Sequence, residues 1–149
     1  MHPFRTARAT TVALVCALAV GCGGTSPGAV DEPYEYPTLS PEIMSAGPME
    51  ALPYLQVPDD TLTRMSTGAL VETVLDFPYA VNVLAYSTTQ EGVDHLREQC
   101  NALDELMKRD DAEAEIRAVY DETQARGWPA GTEFSSVLTM LLEALLETL

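Results

Sequence analysis

The chain has 149 residues, 46% hydrophobic and 21% charged, with 23 acidic against eight basic side chains and a formal net charge of −15. That length holds one domain plus appendages. The acidic balance argues against nucleic acid and against docking on anionic lipid head groups, and it favours basic partners or loosely held cations.

The chain starts with "MHPFRTAR", which carries Arg5 and Arg8 and no acid. The apolar run Ala9–Val20 follows, 12 residues long. A membrane span needs roughly 20 residues. Basic, then apolar, then small residues is the order of a secretory signal peptide, and the two arginines hold the N-terminus on the cytoplasmic side. They are not adjacent, so a twin-arginine signal is not indicated.

The run closes on Ala19-Val20-Gly21-Cys22, which resembles the lipobox of bacterial lipoproteins, with Ala where Leu is commoner. The resemblance implies a diacylglyceryl thioether on Cys22, cleavage before it, and acylation of the new amine. Residues 1–21 would then be the leader and Cys22 the lipid anchor, a membrane partner by attachment. Several acyl chains hold stably where one chain holds marginally. The protein would sit on the extracytoplasmic face of the cell envelope. Gly23 after the anchor favours the outer membrane where the host has two membranes. Without the leader, 128 residues remain, with six bases against 23 acids and a net charge of −17. Cys100 would be their only free thiol, since Cys16 leaves with the leader and Cys22 is lipidated. No intramolecular disulfide is then available.

Residues 22–37 are rich in Gly, Pro and acid without periodicity and read as a flexible tether. Residues 38–58 mix Pro with apolar residues and read as an irregular arm, with a short helix near Met49–Tyr54. From Asp59 to Leu149 the pattern is helical. Asp59 or Asp60 opens a short turn. Ser66 caps the next helix, with Leu70, Val74 and Phe77 on one face. Pro78 ends it and can begin a further helix over "PYAVNVLAY", where Val81, Val83 and Tyr86 would also suit a strand. Ser87 with Gln90, or Thr88 with Glu91, forms a capping box. The helix behind it runs to about Arg109, with Val93, Leu96, Cys100, Leu103 and Met107 as a seam. Asp110 or Asp111 caps another helix, with Ile116, Val119, Tyr120 and Thr123 inward and Gly127 as its stop. Thr132 opens the last. The expected fold is all-α, a small bundle of about five or six helices.

Three blocks, Met65–Pro78, Ala85–Gly92 and Cys100–Ala112, resemble an uncharacterised helical domain of secreted and lipid-anchored bacterial proteins. That pattern has an aromatic residue before Asn101 and a glycine after it. This chain has Cys100 and Ala102 there, which bears on packing. The resemblance brings no activity.

The candidate chemistry is sparse. His95 and Cys100 lie five apart on one helix, about 140° round its axis, and cannot meet. Cys100 on the seam reads as an inert core thiol. No metal-ligand spacing, calcium loop or phosphate-binding glycine motif is present, and no cofactor is expected. The pairs Glu72/Asp76 and Asp111/Glu115 share helical faces and read as solvated. Asn101 reads as a structural hydrogen-bonding group. In the last helix Phe134, Val137, Leu138, Leu141, Leu145 and Leu149 form an inward stripe. Met140, Leu142 and Leu146 widen it, and either the helix is core or Leu142 and Leu146 seed a surface for a partner or self-association. The functional expectation is a membrane-anchored protein- or peptide-interaction module that is not an enzyme. The alternative is a small enzyme or ligand carrier built from scattered acids and Tyr79, Tyr86 or Tyr120.

Overall fold

The structure, a computed structural model, describes residues 29–130 and 132–149. The leader and Cys22 lie outside the described residues. Among the described residues the fold is all-α, with eight α-helices and two 3₁₀-helices. The extra helices beyond the expected five or six come from three short helices in the arm and from one helix that breaks in two. In chain order they are α1 (Pro41–Ala46), α2 (Pro48–Ala51), the 3₁₀-helix Leu52–Tyr54, α3 (Asp59–Leu62), α4 (Thr67–Leu75), the 3₁₀-helix Ala80–Ala85, α5 (Thr89–Gln99), α6 (Asn101–Leu106), α7 (Ala112–Arg126) and α8 (Ser135–Thr148).

Helix α4 is the centre of the bundle. The Ser66 hydroxyl accepts the Ala69 N–H at 3.3 Å and starts it. Pro78 disfavours helical backbone at Phe77 and stops it. Seven of its nine residues are buried, so it is covered on almost every side rather than on the single expected face. The fully buried Thr73 hydroxyl donates to the Ala69 carbonyl at 2.7 Å and accepts the Tyr34 N–H at 2.9 Å. A buried hydroxyl left unpaired would cost about 1–3 kcal/mol. Here it also fastens the incoming chain.

That incoming chain corrects the expected tether. From Val30 onward residues 22–37 are not a free linker. Val30 accepts from the Ser66 N–H and donates to the Arg64 carbonyl, an isolated parallel bridge with Met65. Tyr34, Tyr36, Phe77 and Tyr79 then form a ladder of edge-to-face rings 5.3, 5.6 and 6.0 Å apart. Gly, Pro and acid set the average composition, but Val30, Tyr34 and Tyr36, followed by Leu39 at the start of the arm, supply enough apolar surface to dock this strap on the core. The core likewise begins before Asp59, because Ala51, Leu55 and Val57 are at most 1% exposed.

The capping at Thr88 is as expected, its hydroxyl accepting the Glu91 N–H at 3.2 Å. The helix behind it does not run unbroken to Arg109. Cys100 is extended, with φ −115° and ψ 99°, and separates α5 from α6. The break releases the Gln99 carbonyl, which accepts from the Gln56 side-chain amide at 3.0 Å. The seam survives, with Val93, Leu96, Cys100 and Leu103 all buried, because both helices keep facing the core. Helix α7 begins after Asp111, whose carboxylate makes no cap and accepts the Thr67 hydroxyl at 2.7 Å instead. Gly127, at φ 76°, ends it.

Helix α8 starts at Ser135 rather than at Thr132. Thr132 is held by the preceding turn, donating both its N–H and its hydroxyl to the Pro129 carbonyl. Phe134 at the helix start is left-handed at φ 56° and 62% exposed, so it is not part of the inward stripe. Leu138, Leu141, Leu142 and Leu145 form that stripe, at 8% exposure or less.

Candidate functional site

Leu142 and Leu146 do not form the surface considered for them. Leu142 has no exposed area and Leu146 is packed against the core, because α5, α7 and the 3₁₀-helix Ala80–Ala85 all pack on α8 and cover it over a wide arc. The exposed apolar flank of α8 lies two residues earlier, at Met140, 49% exposed. Beside it the 3₁₀-helix Ala80–Ala85 and its end leave Leu84 at 42% and Tyr86 at 37%. These three side chains line a groove of about 260 Å³ with Glu143 and Glu147 on its α8 wall. Sequence reasoning found the apolar excess of α8. It missed the partner residues Leu84 and Tyr86, which become neighbours only through packing of the 3₁₀-helix on α8.

Of the three tyrosines of the alternative reading, Tyr86 and Tyr120 both lie at Glu143, whereas Tyr79 lies apart. Tyr79 belongs to the aromatic ladder, and its hydroxyl meets the Met44 sulfur at 4.0 Å. Tyr86 lies against the His95 ring with centroids 4.8 Å apart, and it shares the groove with Glu143. Tyr120 donates its hydroxyl to Glu143 at 2.9 Å, which pushes the phenol above its ordinary value. His95 is tied to the Gln99 side-chain amide at 2.7 Å, on its own helix.

Cys100 is 1% exposed, with the Tyr36 hydroxyl 3.9 Å from its sulfur. Burial pushes both the thiol and the phenol well above their ordinary ranges. A thiol held protonated in this way is a poor nucleophile. The native protein is therefore expected to resist a bulky maleimide at Cys100 and to react only after denaturation. Rapid labelling followed by mass mapping to Cys100 would show that the strap over it opens readily.

Asn101 is held at both ends of its side-chain amide. Its amide oxygen accepts the Val57 N–H at 3.0 Å and its amide nitrogen donates to the Val57 carbonyl at 2.7 Å. It closes the arm onto the α5–α6 break, the structural role expected of it. Asp104 receives Lys108 and Arg97 at 2.7 Å each, and these hydrogen bonds hold its carboxyl below the usual range. Glu72 on α4 and Asp76 just past its end are both exposed, and burial nevertheless raises the Asp76 carboxyl.

Among the described residues no group of three His, Cys, Asp or Glu side chains is placed to hold a metal ion, and no helix is long and apolar enough to cross a membrane. Comparison of the chain with protein-family models, curated proteins and solved structures finds no match.

Proposed function

We propose that this protein is an extracytoplasmic lipoprotein, anchored through Cys22, whose helical domain docks a protein partner in the groove between the 3₁₀-helix Ala80–Ala85 and α8. The observation that carries the reading is the joint exposure of Leu84, Tyr86 and Met140 beside Glu143 and Glu147. Large apolar side chains exposed together, with a charged rim, are a feature of interaction surfaces. The rim is acidic, and so is the whole chain at −15. The fitting partner is therefore an apolar segment carrying Lys or Arg, which the field also steers towards the groove. The reading assigns binding and no catalysis. The lipobox at Cys22 supports the anchor.

Two substitutions in the full chain test the two halves separately. Cys22→Ser is expected to abolish incorporation of a labelled acyl chain and to move the protein out of the membrane fraction. Undiminished labelling overturns the anchor. Met140→Glu is expected to leave the melting temperature unchanged and to remove cross-linked partner recovered from native membranes. A cross-linked species that persists in Met140→Glu overturns the groove, and one of twice the chain mass would identify the partner as a second copy.

A further inference from the structure

A second and larger cleft, of about 640 Å³, opens where α4 and α7 end and α8 begins. We propose that it binds a small organic cation, an ammonium group on a short apolar body. Its volume lies within the roughly 300–1,000 Å³ typical of small-ligand sites. Leu75, Val119, Leu138 and Trp128 supply apolar lining, and Glu72 and Asp76 stand on the α4 wall.

Charge decides the class of ligand. The ion pairs among the described residues use other acids, so Glu72 and Asp76 face the cleft without a paired cation. The one base in the lining, Arg126, is committed to Glu122 at 2.7 Å. Two negative charges are therefore left over in the wall. Two helices also end there, α4 at Leu75 and α7 at Arg126. Each C-terminus adds a partial negative charge of roughly half a unit and the α8 N-terminus a positive one of similar size, so the three helix ends together still favour a cation. Burial raises the Asp76 carboxyl, so its charge is incompletely solvated and gains from an incoming ammonium. The Trp128 ring completes the site. Its Nε1–H donates to the Thr139 hydroxyl at 2.9 Å, which fixes the ring at the cleft, and aromatic faces attract ammonium groups. A neutral apolar ligand would use the lining but leave both carboxylates uncompensated. The cleft and the groove beside Met140 are lined by different residues, so this inference does not depend on the proposed partner surface.

Trp128 is the single tryptophan of the chain, so its fluorescence reads the cleft directly. The full chain in a non-ionic detergent is titrated with hexylammonium, hexan-1-ol and hexanoate. The expected result is a saturable change with hexylammonium, a response at least about tenfold weaker with hexan-1-ol, and none with hexanoate. Asp76→Asn and Glu72→Gln are each expected to weaken hexylammonium binding by about five- to tenfold, with a larger loss in the double variant. Glu72 is exposed, so Glu72→Gln reads the charge effect even if Asp76→Asn alters the fold. Equal responses to hexylammonium and hexan-1-ol would overturn the proposal, leaving an apolar cleft without cation selectivity. Unchanged affinity in Glu72→Gln, or no saturable response at all, would overturn it as well.

Discussion

Gly92→Ala is expected to destabilise the fold by about 2 kcal/mol net, against the direction that helix propensity alone predicts. Alanine inside a helix is worth about 1 kcal/mol over glycine. Gly92 lies within α5 and is buried. A Cβ built there collides with the Val83 carbonyl oxygen and comes within 2.9 Å of Val83 Cγ2. The colliding atom is backbone, in the 3₁₀-helix Ala80–Ala85, so relief requires α5 and that helix to separate. Overpacking of this kind typically costs about 1–3 kcal/mol, and more where backbone must shift. Urea denaturation followed by helical circular dichroism measures it. A midpoint at or above that of the wild type would mean that the two helices are not in close contact. The same displacement would distort the groove beside Met140, since Val83 and Leu84 line it.

Asn101→Ala is expected to cost about 3 kcal/mol, the other large effect. The substitution removes both partners of Val57 at once, and Val57 is 1% exposed, so its N–H and C=O cannot turn to water. Each unsatisfied buried group carries a penalty of about 1–3 kcal/mol. Local release of the arm is the expected way in which the protein limits this loss. Hydrogen exchange at the Val57 amide should accelerate far more than at Val74 in the centre of α4. Equal acceleration at both would indicate global unfolding rather than an arm clamped by one side chain. Asn101→Asp should recover only part of the stability, because a carboxylate accepts the Val57 N–H but has no donor for the carbonyl.

Most of the helical architecture was legible from residue pattern. The seam through Val93, Leu96, Cys100 and Leu103 gave the buried face of α5 and α6, and Ser66 and Thr88 marked helix starts by their hydroxyls. The break at Cys100 was invisible to that reasoning. Apolar spacing records which residues face the core, and both sides of this break face it. At this break the Gln56 and Asn101 side chains bond to backbone more than forty residues away in sequence, which apolar spacing does not record. The strap was misread for a related reason. Composition averaged over residues 22–37 is that of a linker, whereas docking depends on three apolar side chains, Val30, Tyr34 and Tyr36, and on a single hydroxyl at Thr73 that accepts the Tyr34 N–H.

By itself the sequence determined an all-α, acidic bundle with a core thiol and an apolar excess in its last helix. These are properties of periodicity, charge and local capping, which act within a few residues of one another. The resemblance of Ala19–Cys22 to a lipobox is an equally local pattern. Only the tertiary structure decided which side of α8 is left outside, because Leu142 and Met140 are both large apolar side chains whose exposure depends on what packs over them. It also decided that Glu72 and Asp76 border a cleft containing Trp128, more than fifty residues further along the chain. A carboxylate on a solvated helix face and one on a cleft wall have the same spacing in the sequence. Their difference is the dielectric and the neighbours that distant helices bring to them.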